Sequence, residues 1–285
     1  MLCNRAGGHM LRSKTAASIF AFLSLTMGTA QGADILDGTA LSFKDTPGSY
    51  WIVTLGGYAG AEPEYPGAKT SAFAFRPIID IRPEGSKEWL TLPNDAFSLT
   101  LYQTGNFRIG AAGDYLLNRD HRNDSALRGL NDINYTGELG GFAEYYPAPF
   151  LRTRLELLQG ISGADGFAAN LMADFVYAPD PRWLFTAGPR LQFVNTQYES
   201  TFFSISGGEV QASDLSPYHA SGGLNSAGID ATARYNVSDR LSLRAFGEWD
   251  RLVGDGADSP LVKIRGSEDQ FQFGLGAAYK FTYGR

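Results

Sequence analysis

From Ser49 to the end of the chain, apolar and polar residues alternate with a period of two over runs of ten residues or more. In Phe167–Tyr177 the odd positions carry Phe167, Ala169, Leu171, Ala173, Phe175 and Tyr177, while Asn170 and Asp174 fall on even ones. Leu151, Leu155, Leu157 and Ile161 alternate with Arg152, Arg154 and Glu156. The last run sets Phe271, Phe273, Leu275, Ala277, Tyr279 and Phe281 against Gln270, Gln272 and Lys280. The same parity recurs over 183–195, 227–237 and 241–249. A period of two describes strands with one greasy face and one polar face. Strands of globular proteins are mostly about five or six residues long, whereas a tilted membrane crossing takes about nine to eleven.

Alternation and breakers together predict strands near 50–60, 71–83, 86–92, 96–103, 106–117, 137–147, 150–161, 166–178, 182–198, 226–236, 240–252 and 269–283. Short turns fall at 84–86, 104–106, 147–149, 179–181 and around Ser238 and Asp239, with Gly, Pro, Asn, Asp and Ser as punctuation. Longer connections fall at 61–70, 118–136, 199–225 and 253–268. With 86–92 counted, all short turns share one rim and all long loops the other, together with the shorter 93–95 and 162–165. That asymmetry belongs to transmembrane barrels, which have short periplasmic turns, long outer loops and both termini inside. The expected fold is therefore all-β: a single antiparallel transmembrane β-barrel of about 12 strands spanning 49–285. A secreted β-sandwich is the plain alternative, but it needs only seven to nine shorter strands. Twelve long strands make a ring too wide for its apolar side chains to fill from within. Tyr58, Tyr145, Tyr146, Tyr177, Trp183, Tyr198, Tyr235, Trp249, Tyr279 and Tyr283 sit near strand ends, where an interfacial girdle would place them.

The N-terminus carries a different signal. Arg5, Arg12 and Lys14 precede the uncharged stretch Thr15–Gly28, and small residues follow to Ala33. This describes a secretory signal peptide over 1–32, cleaved after Ala30 or Gly32; Met10 opens a more compact form of it. Residues 33–48 would then form a periplasmic N-terminal segment. Removing 1–32 takes three basic residues and no acidic one. That leaves 21 Lys+Arg against 30 Asp+Glu and a net charge of −9. Cys3, the single cysteine, leaves too, so no disulfide framework or cysteine metal site is available. The acidic balance excludes a nucleic-acid partner, which needs Lys/Arg clusters to displace counterions. No apolar run of 18 or more residues follows the first thirty positions. The mean hydropathy of −0.18 is what a lipid-facing half and a polar half average to.

Several stretches resemble the MltA-interacting protein/OmpV family of outer-membrane proteins. They are Glu64–Gly67, Gly188–Arg190, Ser216–Gly223 and, the most specific, Arg251–Pro260 leading into Phe273–Phe281. The matches keep their order across nearly the whole mature chain, and the motif loop is Gly254, Asp255, Gly256, Ala257, Asp258, Ser259 and Pro260. The closing strands of this class end on an aromatic residue; here Phe281 fits, with Thr282–Arg285 extending beyond it. The resemblance implies a barrel in the bacterial cell outer membrane, in contact with lipid and lipopolysaccharide. It also implies partners, since the name-giving member scaffolds a lytic transglycosylase and a penicillin-binding protein. Other members are linked to adhesion and solute uptake.

Catalytic chemistry is hard to find. His121 and His219 both fall in predicted outer loops, and the nearest serines, Ser125 and Ser216, have nothing to orient them. Gly160–Ala164 lacks the final glycine of a nucleophile elbow. No His/Cys metal spacing occurs, and no cofactor is indicated. Asp250, Asp255, Asp258, Glu268 and Asp269 gather around the last loop, read chiefly as solvated carboxylates; Ca²⁺, or Mg²⁺ bridging to lipopolysaccharide phosphate, is the alternative. Asp255 and Ser259 are also placed to cap backbone amides of that loop.

The even positions are more informative. Arg76, Arg108, Arg152, Arg154, Glu156, Asp174, Arg190, Asp230, Arg234, Arg244 and Glu248 are the candidate lumen lining, with Asp80, Arg82, Asp114 and Lys280 on the same parity. Both signs alternate on neighbouring strands, which favours ion-pair networks filling the barrel over a selectivity lining, though a ring of this size has room for either. Three functions follow: a non-enzymatic scaffold for murein-synthesising and murein-cleaving enzymes, a small-solute diffusion channel, and an adhesin acting through the long outer loops. An enzyme ranks last.

Overall fold

A computed structural model describes residues 50–83 and 88–284. The expected signal peptide 1–32, the segment 33–48, the start of the predicted strand 86–92 and the Arg82 side chain lie outside the described residues. Eleven strands form one sheet: β1 (Trp51–Pro63), β2 (Ser71–Pro83), β3 (Phe97–Thr104), β4 (Phe107–Leu116), β5 (Thr136–Ala148), β6 (Leu151–Ser162), β7 (Gly166–Tyr177), β8 (Trp183–Val194), β9 (Gly223–Asn236), β10 (Leu241–Leu252) and β11 (Asp269–Tyr283). All neighbours are antiparallel, in the order β2-β1-β11-β10-β9-β8-β7-β6-β5-β4-β3. The first and last strands are paired within the wall, from Trp51 opposite Tyr283 to Ala61 opposite Phe273. β2 and β3 are the sheet's two edges. The sheet curls until these edges approach. β3 starts opposite Gly113, so the top of β4 passes beyond it and meets β2 directly. There the Tyr115 hydroxyl donates to the Phe75 carbonyl at 2.8 Å and Arg76 lies 3.8 Å from Asp114.

Parity sorts the two faces. Phe73, Phe75, Ile79 and Ile81 on β2, and Phe271, Phe273 and Leu275 on β11, point outward and are more than half exposed. On β6, Arg152, Arg154, Glu156 and Leu158 point inward and are buried. In water the outer band would be an aggregation surface; in lipid it is the solvated face.

The structure corrects the expected strand at 86–92. Its described part, with the rest of 88–96, is not a strand. The reason lies in polarity: with every neighbouring pair antiparallel in the observed order, β2 and β3 run the same way, so the link between them must recross the barrel. It does so on the inside. Glu88 binds Arg234 of β9 and Lys280 of β11. The Trp89 indole donates to Gln103 of β3, Leu92 to Asp95 close a turn, and the Ala96 amide donates to Glu156 of β6. Pro93 and the buried Leu92 suit such a finger better than a lipid-facing wall. Among the described residues the wall therefore has eleven strands against the expected about 12, and 88–96 runs on its inner side.

Three girdle assignments also fail. Tyr58 is even-numbered and faces inward, edge-on to Phe246 with ring centres 5.4 Å apart. Tyr198 belongs to a helix, α1 (Thr196–Phe203), because the predicted strand 182–198 stops at Val194 and Asn195 caps the helix by accepting the Tyr198 amide at 2.9 Å. Tyr146 also turns inward, against Trp89. Tyr145, Tyr177, Trp183, Trp249, Tyr279 and Tyr283 remain exposed.

The long loops fold into a cap. Besides α1 it contains α2 (Gly208–Ser213), α3 (Gly254–Asp258) and a π turn over Leu261–Arg265. Phe202, Phe203, Ile205, Leu215, Leu261 and Val262 are buried in two apolar clusters with Tyr65 and Tyr198. Each such side chain contributes roughly 1.5–3 kcal/mol by leaving water.

Candidate functional site: the barrel interior

Even parity on β4 to β7 brings charged side chains to one level inside the sheet. Arg152 of β6 reaches three carboxylates: Asp95 of the inner finger at 2.6 Å, Glu144 of β5 at 2.8 Å and Asp174 of β7 at 2.8 Å. Arg154 pairs with Glu156 at 2.7 Å and Glu144 at 3.2 Å, and its guanidinium lies 4.2 Å above the Phe142 ring. Arg108 forks onto Glu144 at 3.0 and 3.1 Å and donates to the Leu90 carbonyl. Arg190 bridges Asp174 at 2.7 Å and Asp230 at 3.1 Å. Arg152, Glu144 and Asp174 are fully buried, so these charges hold one another instead of water. Such a network is stabilising only as a complete set, since an isolated buried charge is costly. Together with the finger it forms a buried plug against the inner face of the sheet at this level.

The other predicted lining residues fall around this plug. Arg76 pairs with Glu62 at 3.0 Å near the outer end, Arg234 holds Glu88 at 2.9 Å near the periplasmic end, and Arg244 packs beside Ser242. Glu248 faces inward on β10 and lines the same chamber as Arg190. Glu144 shares the same even, inward parity on β5, so alternation is the signal that finds it. Asp95, Glu88 and Trp89 carry no periodic signal, because their backbone belongs to no strand.

Two cavities flank the plug. Beneath the cap lies a chamber of about 230 Å³, walled by Arg76, Asp114, Asn170, Gln192, Glu248 and Asp250 and roofed by Tyr65, Tyr198 and Leu252. At the rim of short turns lies a cavity of about 580 Å³, formed by Trp89, Leu90, Tyr146, Pro147, Pro149, Val176 and Leu184 with Glu88 and Arg234 at its edge.

The motif loop sits in the cap. Gly254 has φ +59°, in the left-handed region that glycine enters without strain, and starts α3. Asp255 accepts the amide of Ser221 at 2.7 Å, and its own carbonyl accepts the Tyr218 hydroxyl at 2.9 Å. Ser259, fully buried, donates to the Phe203 carbonyl at 2.7 Å; the bond runs from its hydroxyl to the end of α1, so Ser259 is a donor across elements and not an amide cap. Gly256 packs against Glu199 and Asn225, Ala257 is buried, and Pro260 precedes the π turn. Asp258 pairs with Lys263, and Glu268 and Asp269 pair with Arg251. Asp250 departs from the solvated reading: it points into the chamber. Arg265 ties the cap together by donating to the carbonyls of Ala126, Arg128 and Ser213.

Buried acids in the cap behave accordingly. Burial, reinforced by Asp255, pushes the Glu199 carboxyl up to about 7. On the exposed loop, hydrogen bonds from Arg122 hold Asp120 down at about 2, and His121 hydrogen-bonds Asp132 at 2.7 Å. Asp120, His121 and Asp132 are the grouping able to offer three metal-ligand atoms among the described residues. Asp120 is already committed to Arg122, by contacts of 2.5–3.1 Å.

An outer membrane channel from Pseudomonas putida F1 superposes with a TM-score of 0.39 at 12% identity, covering 88% of this chain and 100% of that one. Neisserial surface protein A gives 0.27 at 12% identity, covering 82% and 99%, and the outer membrane protease OmpT from Escherichia coli 0.29 at 12%, covering 83% and 98%. No curated protein matches the chain. Residues 55–281 match the family of MltA-interacting protein MipA, from β1 through the motif loop to the closing strand. The chain belongs to the MltA-interacting protein MipA family and is an outer-membrane β-barrel protein.

Proposed function

We propose that the protein is a non-enzymatic docking scaffold for a murein enzyme, with a lytic transglycosylase as the partner that the family name suggests. One observation carries this reading: the apolar cavity of about 580 Å³ at the rim of short turns, where Trp89, Tyr146, Pro147 and Pro149 form a preshaped receptor beside the periplasm. Short turns alone offer little to grip. The inner finger supplies what they lack, because it delivers Trp89 to the mouth and braces it with Arg108, whose guanidinium lies 5.0 Å from the indole ring. Buried aromatic anchors in a pocket are the usual centre of binding energy.

The test is capture of a purified lytic transglycosylase by the detergent-solubilised barrel. Pro149→Asp places a charge at an exposed rim position and lowers affinity at least tenfold; Trp89→Ala lowers it further. Unchanged capture by both variants overturns the assignment. The diffusion-channel reading makes a different demand, a conducting lumen, and the plug at Arg152 stands against it. Purified protein in planar bilayers is expected to be silent.

A further inference from the structure

The rim of short turns carries a second cavity, of about 430 Å³, lined by Arg182, Asn236, Ser238, Asp239, Arg240 and Lys280. Backbone pairing fixes its two arginines on either side of the β9–β10 turn. The Arg182 carbonyl accepts the Asn236 amide and the Arg240 carbonyl accepts the Lys280 amide, both at 2.8 Å. Both arginines are exposed, and neither guanidinium has a hydrogen bond or ion pair among the described residues. Asp239 borders the same space without pairing with either, and Asp180 is taken up by the amides of Arg182 and Trp183. The inner face above this corner is short of carboxylates too. Arg234 of β9 and Arg244 of β10 stand directly opposite one another, an unfavourable placing for like charges. Glu88 answers Arg234 and Lys280 together, while Arg244 meets no carboxylate within ion-pair distance among the described residues. Five cations thus face three carboxylates at this corner, on a chain with 24 Lys+Arg against 30 Asp+Glu. A local reversal of the overall charge draws anions.

Position decides which anion. Ser242, which lines the cavity, is buried on the inner face, and Lys280 reaches inward to Glu88, whereas Leu243 is exposed on the outer face. The cavity therefore lies on the inner side of the wall, away from lipid headgroups. Glu88 also joins the two rim cavities, since Lys280 borders the cationic one and Arg234 the apolar one. We propose that this corner binds an acidic peptide segment of a periplasmic partner. Its carboxylates sit between Arg182 and Arg240, and its neighbouring residues run across Glu88 toward the apolar cavity. A guanidinium matches a carboxylate fork to fork, and two free ones on a fixed turn need no other bond broken. Exposed charges of this kind chiefly quicken encounter, so the acidic segment speeds docking and Trp89 holds what has docked. Assigning the segment to a murein enzyme rests on the scaffold reading; the affinity for carboxylates does not.

Fluorescence anisotropy of labelled hexaglutamate with the solubilised full-length protein at low salt tests this, with hexaglutamine as neutral control. Saturable binding of the acidic peptide is expected, weakening as NaCl rises, with none for the neutral one. Arg182→Gln and Arg240→Gln each lower affinity roughly tenfold. Both leave the thermal midpoint level, because neither side chain has a partner to lose. Arg128→Gln, on the exposed outer loop, leaves binding intact. No hexaglutamate binding by the unaltered protein, equal binding by both arginine variants, or displacement by an equal concentration of glycerol phosphate, the headgroup's own oxyanion, overturns the proposal. Capture of the transglycosylase separates the two readings. Capture weakened by Trp89→Ala but untouched by both arginine variants removes the corner from docking and overturns the proposal. Arginine-dependent hexaglutamate binding without any capture supports the corner and fails the scaffold reading alone.

Discussion

At the scale of single residues, parity decides which charges meet. Arg152, Arg154, Glu156 and Asp174 were legible as inward-facing because an even number in a run of alternating residues is enough to assign a face. Their partners were less legible. Asp95 sits in a Leu-Pro-Asn-Asp turn without periodicity, and only the folded finger brings it within 2.6 Å of Arg152. The consequence is asymmetric, since Arg152 balances Asp95, Glu144 and Asp174 at once. Arg152→Met should therefore lose about 3–5 kcal/mol, the range found when one partner of a buried pair is removed. The midpoint of denaturant-induced unfolding in detergent measures it, and a change within about 0.5 kcal/mol would mean that the network is solvated.

At the scale of elements, the wall was nearly readable from alternation, and the predicted β2 and β11 agree with the observed spans at both ends. Alternation fails where a segment is neither lipid-facing nor solvent-facing. The finger at 88–96 packs against inward-facing side chains of several strands and pairs its backbone with none, so the two-faced pattern has no physical reason to appear there. The cap escapes for another reason: α1 to α3 span five to eight residues, too short for a helical period to emerge. Replacing residues 88–95 by a Gly/Ser linker of equal length removes both Trp89 and Asp95 from the lumen. That variant should conduct ions in planar bilayers where the unaltered protein is silent. In the cap, Ser259→Ala strands the Phe203 carbonyl and should cost about 1–3 kcal/mol. Faster amide exchange over 196–203 than in the unaltered protein, with the strands unaffected, is the expected signature.

At the scale of the whole molecule, the cap makes stability respond to pH. Glu199 titrates near 7 in the folded cap against about 4.5 for an ordinary glutamate, so the folded form binds more protons between those values. Its contribution is fully present below about pH 4.5 and is lost as pH rises through about 7. Limited proteolysis of the outer loops should run faster at pH 8 than at pH 5, and Glu199→Gln should flatten the difference; loops cut equally at both values would remove Glu199 from the account.

The pairing of β1 with β11 has a consequence for how the molecule is made. β1 and β2 are the first strands synthesised, yet β2 is an edge of the sheet and the other neighbour of β1 is the last strand of the chain. Until residues 269–283 emerge, the first hairpin is a two-stranded ribbon with no third strand in its backbone ladder, an arrangement of marginal stability. More than 200 residues thus separate partners such as Ala61 and Phe273, the kind of long-range contact that slows folding. A chain terminated before Asp269 would forfeit β1 and β2 along with β11, leaving an eight-strand remnant, so loss of the tail strips three strands from the wall instead of one.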